Sequence, residues 1–452
     1  MVYLSLLFFL FTFLAFLFVW RMLSGGRMVV TPLVVFAGFE FLCTWPATVY
    51  FQEFGNASVY AALLVAAAFL SFLFGYLLWM SVVARRSGLL RRFLDKPLVC
   101  RQSPMAVLFA VTVTTVSLMA VGVYHFRGVP PVVSTFSQLL QGDGYSDSIS
   151  ELSAARYDNT KGHYFGEKYR GGGLVQTVFG VGFPYLVLVT LFMSACTRKR
   201  VWLFLTIALA VLMVVFVGGS GQRFQIIMAV ACIAVGGNIC FGWSARRAFG
   251  SGLMLGCIML LATPLSSQMI GVDSEENALL FTVTRAFEWI CLGNGTHSLE
   301  VLDFVDSGAL ELGYGSIHLQ KFISALPGVS YGTPFSSRVQ QMRGGTSTAF
   351  ASMNYYAVLY ADFGAIGVLV GYMIIGILAA ATELIFFGSE KDVMYVPAYA
   401  VAVVLFSDLS IGGSASVVAS GFILVVFTAG MLKIAAIGDS IFLGKRVAKG
   451  LS

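Results

Sequence analysis

The sequence predicts an all-α polytopic membrane protein with about eleven transmembrane helices and two long periplasmic loops. Three observations carry that prediction. Apolar residues make up 58% of the 452-residue chain and charged residues 11%, where soluble domains run near half and about a quarter. The apolar residues gather into runs long enough for a helix to cross a bilayer, where backbone polar groups must be satisfied internally. The two-residue alternation of an outer-membrane barrel is absent.

Windows of roughly 20 apolar residues fall at 2–20, 29–50, 58–83, 104–124, 174–195, 201–219, 224–242, 248–270, 365–387, 393–411 and 414–432. The first lacks a basic n-region and a small-residue cleavage site, so a retained helix is expected there. Of the seven cysteines, Cys43, Cys232, Cys240 and Cys257 lie in apolar runs. No CxxC or Cys/His cluster marks a metal site, so packing is the expected role.

Basic residues set the orientation. Arg21 and Arg27 follow the first window, and Arg85, Arg86, Arg91, Arg92, Lys96 and Arg101 fill the loop after the third. Arg198, Lys199 and Arg200 follow the fifth, Arg246 and Arg247 the seventh, and Lys445, Arg446 and Lys449 sit in the tail. All fall on one side if the N-terminus is periplasmic and the C-terminus cytoplasmic. The two long loops, 125–173 and 271–364, then face the periplasm. They hold aromatics and short apolar stretches, so they are expected to be folded parts of a single membrane domain, 1–452.

This topology puts several arginines on the side the positive-inside bias disfavours. Arginine is suited to phosphate or carboxylate, because its planar fork matches those oxyanions and stays charged. Arg223 lies in "VGGSGQRFQIIMAV", a turn with no local acidic partner, where Gly218, Gly219 and Gly221 let backbone N–H groups approach an anion. In "ALLFTVTRAFEWI" helical spacing places Thr282, Arg285 and Glu288 opposite Leu280, Val283, Phe287 and Ile290, as on an interfacial helix. Arg338 and Arg343 lie in the hydroxyl-rich "PFSSRVQQMRGGTSTAF", and Arg170 in the first long loop. The alternative for each is an ion pair or a snorkelling side chain, which is weakest for Arg223 because its turn supplies no acidic partner.

His297 and His318 share the second loop with Arg285, Arg338 and Arg343 and are candidate general bases. Tyr124, Tyr164, Tyr169, Trp289, Tyr314 and Tyr331 serve either as sugar-stacking rings or as an interfacial belt. There is no GxxxxGK[ST] loop, no HExxH and no DxD pair, so neither a cofactor nor a metal is expected.

Four blocks carry a family resemblance: "GSGQRFQIIMA", "FTVTRAFEWICLGNG", "LELGYGSIHLQKFISALPG" and "STAFASMNYYAVLYADFGAIGVLVGYMIIG". In their order over roughly 100–390 the chain resembles the Wzy-type oligosaccharide repeat-unit polymerases, which build O-antigen and related polysaccharides; the last two blocks are the specific ones. An arginine followed eleven residues later by glycine, a loop motif of some members, is absent, since Arg156 to Gly166 and Arg170 to Gly180 are each one residue short. The resemblance implies a GT-C-like fold in the bacterial inner membrane and lipid-linked glycosyl transfer at its outer face. The donor would be a glycan on undecaprenyl diphosphate and the acceptor a new repeat unit on the same lipid. A chain-length regulator is an implied partner in the same membrane, and no nucleic acid is. Arg223 and Arg285 would hold the departing diphosphate, Glu288, His297 or His318 would take the hydroxyl proton, and Arg170, Arg338 and Arg343 would bind substrate. An O-antigen ligase-like transferase needs the same arginines. A transporter, the third alternative, would use ionisable residues inside the spans, which here are Glu40, Glu383 and Asp408.

Overall fold

A computed structural model of the chain describes residues 2–24, 29–50, 56–83, 89–126, 172–217, 223–241, 292, 294–324, 335–344, 353–410 and 414–450. Regular structure among them is helical, and the single β-bridge joins Val99 to Asp392. The first helices are α1 (Val2–Ser24), α2 (Pro32–Cys43), α3 (Trp45–Tyr50), α4 (Asn56–Val83), α5 (Leu89–Asp95) and α6 (Pro104–His125). Then come α7 (Gly172–Thr197), α8 (Arg200–Val217), α9 (Arg223–Phe241), α10 (Asn294–Asp306), α11 (Ser316–Ser324) and α12 (Phe335–Met342). The chain ends with α13 (Tyr355–Gly388), α14 (Tyr395–Ser410) and α15 (Ser414–Gly450). Seven of these are long and apolar enough to cross a bilayer, which makes this a multi-pass all-α membrane protein.

Every expected window except 248–270, which lies outside the described residues, falls on one of these helices, but three differ in extent. The window 29–50 is two helices, because Pro46 has no N–H for the Leu42 carbonyl and the helix breaks at Thr44. The window 365–387 is the second part of α13, which starts at Tyr355 and is kinked at Gly364, where φ is +66°. The last window continues as one helix to Gly450, since no proline interrupts the residues after it.

Two cores organise the bundle. One joins α1 to α4 with α10 to α13, and the other joins α6 to α9 with α15; α14 contributes to both, Phe406 and Leu409 to the first and Tyr399, Val401 and Val403 to the second. Many large apolar residues among those described face outward. On α8, Trp202, Thr206, Leu209 and Met213 are buried while Phe204, Ile207, Val211 and Val214 are exposed at helical spacing. That face is built for lipid.

Lipid supplies no hydrophobic force between helices, so close packing and polar contacts hold them together. The seam between α4 and α13 shows both. A Cβ on Gly376 would run into the Phe72 carbonyl oxygen of α4, and one on Gly75 into the Met373 carbonyl oxygen of α13. The Tyr76 hydroxyl donates to Glu383 across that seam at 2.6 Å, and Tyr372 donates to Glu40 of α2 at 2.7 Å. Two of the intramembrane acids thus join neighbouring helices to α13.

The ends of α13 define two ends of the bundle. Near Gly388, Arg101 pairs with Glu390, Lys96 donates to the Ser389 carbonyl at 3.0 Å and Lys391 to the Leu94 carbonyl at 3.2 Å. Cys196 meets the Leu98 carbonyl at 3.8 Å, so the exposed Arg198, Lys199 and Arg200 sit at this same basic end. Helices α10 and α11 pack near the other end, about 1.5 Å per residue away along α13.

Two measurements check this arrangement. Gly376→Ala should lower the unfolding midpoint in detergent by the equivalent of about 1–3 kcal/mol through overpacking. Gly421→Ala, at a glycine with open space around it, should not. Single cysteines replacing Ser307 and Lys199, in a background without native cysteines, should react with an impermeant reagent from opposite faces of the membrane. Labelling of both from one face contradicts the two-ended geometry.

Candidate active site

The break at Gly364 is where the site begins. It leaves the Ala361 and Asp362 carbonyls without the N–H groups that a continuous helix would supply. The turn before α11 takes their place: Gly313 N–H donates to the Ala361 carbonyl at 2.9 Å and Tyr314 N–H to the Asp362 carbonyl at 2.7 Å. Gly313 has no room for a side chain, since a Cβ would strike Oδ1 of Asp362.

Asp362 then caps α11 from another helix. Its Oδ1 accepts from Gly315 N–H at 2.9 Å and Ile317 N–H at 3.2 Å, and Oδ2 accepts from His318 N–H at 3.0 Å. These are the first donors of α11, which have no partner inside the helix, and a carboxylate suits the positive helix end. Oδ2 also meets His318 Nδ1 at 2.5 Å, while His318 Nε2 lies 3.2 Å from the Tyr355 hydroxyl. The Asp362 side chain is 0% exposed and that of His318 15%. With the carboxylate as acceptor the ring proton belongs on Nδ1, which leaves the Nε2 lone pair to accept. An oriented imidazole backed by a buried carboxylate has the form of a general base.

A second cluster lies on α10 and the end of α12. Arg343 Nε pairs with Glu300 Oε2 at 2.8 Å, and its Nη1 lies 2.6 Å from His297 Nε2 and 3.4 Å from Gln340 Oε1. His297 and Glu300 are three residues apart and so share a face of α10. Among the described residues Nη2 of Arg343 makes no hydrogen bond, so a guanidinium held on two edges offers a third. Burial pushes the Glu300 carboxyl above the usual range, opposed by Arg343. The clusters are linked through the main chain: Asn354, next to Tyr355, donates its N–H to Ser298, next to His297, at 2.7 Å. The Asn354 amide also donates to the Cys43 carbonyl and to Thr44 Oγ1, both at 3.1 Å, where α2 breaks from α3.

The sequence candidates therefore divide. His318 stands in the first cluster, and His297 and Arg343 meet in the second. The two histidines, alike in sequence, differ here: a cation, Arg343, meets Nε2 of His297. His318 is oriented at Nδ1 by the Asp362 carboxylate and meets only the neutral Tyr355 hydroxyl at Nε2, which favours His318 as the base. Arg338 is exposed on α12, its guanidinium carbon 5.7 Å from the Phe335 ring. Arg223 opens α9, and its side chain lies outside the described residues, as do Arg170, Arg285 and Glu288 altogether. Asp362 and Tyr355 were missed, because the contacts that place them at the site join residues 37–47 apart in the chain. Comparisons with protein-family models, with characterised proteins and with solved structures give no match.

Replacing Asp362 with Ala should cost about 3–5 kcal/mol, the range for breaking a buried pair. Hydrogen exchange at the amides of 315–318 should quicken, while the α7–α8 region is unchanged. Glu300 gives a pH test. With its pKa raised, it takes up a proton at higher pH than an ordinary carboxylate as pH falls, and Arg343 then loses its anionic partner. Glu300→Gln should mimic that state at neutral pH and loosen Arg343, read as faster modification of Arg343 by phenylglyoxal.

Proposed function

We propose that the protein is a membrane glycosyltransferase of the Wzy-like polymerase type, acting on lipid-diphosphate-linked glycans at the periplasmic face of a bacterial inner membrane. The observation that carries this reading is the buried Asp362–His318 pair at the end of the bundle opposite the basic turns, with the anchored Arg343 linked to it through Asn354 and Ser298. The basic end is then cytoplasmic by the positive-inside bias, with the N-terminus periplasmic. A GT-C-like arrangement goes with the reading.

At the anomeric carbon the reaction forms one bond and breaks one, and a proton moves from the acceptor hydroxyl to the base. The acceptor hydroxyl oxygen attacks the anomeric carbon of the donor glycan, and its proton passes to Nε2 of His318. The bond from that carbon to the diphosphate oxygen breaks, and the diphosphate leaves with the electron pair. Asp362 fixes the orientation of His318 and stabilises the imidazolium as it forms. Arg343, with Arg223 and Arg285, holds the diphosphate as its charge develops, and arginines do this without a metal. Arg170 and Arg338 serve substrate binding.

Purified protein incubated with lipid-linked repeat unit should yield a ladder of longer products, undiminished by EDTA. His318→Ala should abolish the ladder. Arg343→Ala, Arg223→Ala and Arg285→Ala should each slow it about 100- to 1000-fold, the size of an oxyanion-hole deletion. Lysine at any of these positions should restore only part of the rate, since it keeps the charge and loses the fork. Transfer of the glycan to lipid A core with no ladder would make the protein a ligase-type transferase instead.

A further inference from the structure

Tyr314 is built into the site at a cost that packing does not explain. Its φ is +47°, in the left-handed region that disfavours a residue with a Cβ, and such strain costs of order 1–3 kcal/mol. Glycine would avoid the cost, and both flanking residues, Gly313 and Gly315, are glycine. Nor does burial account for the tyrosine. The residue is 81% exposed, and its side chain makes no hydrogen bond or ring contact among the described residues.

Its position is fixed all the same. The Tyr314 N–H is held by the main-chain carbonyl of Asp362, whose carboxylate holds His318 four residues further on. The backbone therefore carries, four residues before the proposed base, an aromatic ring with no partner among the described residues, and ties both to Asp362. A pyranose has a face of polarised C–H bonds, which the negative face of an aromatic ring attracts. We propose that Tyr314 is the platform on which the acceptor sugar stacks, so that its hydroxyl is delivered to His318. The proposal rests on the glycosyltransferase reading and adds to it the residue that positions the acceptor. An interfacial-belt tyrosine would be exposed too, but it needs neither the left-handed backbone nor the tether to Asp362.

The test is steady-state transfer with lipid-linked repeat unit extracted from the producing cells, together with unfolding midpoints in the same detergent. Tyr314→Phe and Tyr314→Trp should keep the wild-type acceptor KM. Tyr314→Gly should raise it about tenfold with little change in kcat, the size of an aromatic contact, and should also raise the unfolding midpoint by relieving the strain. An unchanged acceptor KM in Tyr314→Gly, with wild type making polymer, overturns the platform. Absence of polymer from wild type is a failure of the enzyme reading. Fluorescence of the Tyr314→Trp protein then decides the platform separately: a shift on adding the lipid-linked unit upholds it, and no shift overturns it.

Discussion

One carboxylate holds the upper part of this molecule together. Asp362 accepts three N–H donors from the start of α11 and the ring N–H of His318. It can do so because α13 breaks two residues later at Gly364, which frees the carbonyls that tether the preceding turn. The same short stretch of α13 fixes its other neighbours, since Tyr356 lies against Ser298 and Tyr360 donates to Asp306 at 2.6 Å. Helices α10 and α11 therefore take their positions from residues 354–363, and with them the two clusters that carry the candidate chemistry.

The rest of α13 explains why that stretch is a dependable platform. Below the break the helix packs on α4 through Gly75 and Gly376 and is joined by Tyr372 and Glu383 to α2 and α4. The ionisable residues that a transporter would use are Glu40, Glu383 and Asp408. Glu40 and Glu383 are each buried against a tyrosine hydroxyl from a neighbouring helix, an arrangement that cross-links helices.

What the sequence revealed and what it hid follow from the range of the interactions. Spanning helices are local: twenty apolar residues suffice, and α1, α4, α6, α7 and α8 lie where hydropathy puts them. The break at Pro46 was also local, yet an apolar window averages over it. Asp362 was illegible for another reason. It caps a helix 44–47 residues away in the chain, and no periodicity or spacing reports a cap made in three dimensions. His297 and His318 looked alike in sequence because what separates them, Arg343 on one and Asp362 on the other, depends on how the loop folds back on α13. For Arg170, Arg285 and Glu288 the comparison stops at the sequence, because they lie outside the described residues.

In the proposed reaction Asp362 and His318 act as one unit in transfer, beyond the capping of α11 that the geometry already requires. A double-mutant cycle on this pair separates the two roles, with Asp362→Asn and His318→Gln alone and combined, each measured for unfolding and for single-turnover glycan transfer. Groups in direct contact couple by about 0.5–3 kcal/mol. Asp362→Asn should slow transfer in the wild-type background and add nothing once His318 is gone. If the two substitutions couple in stability while their effects on the transfer rate simply add, the pair is a helix cap and the base lies elsewhere.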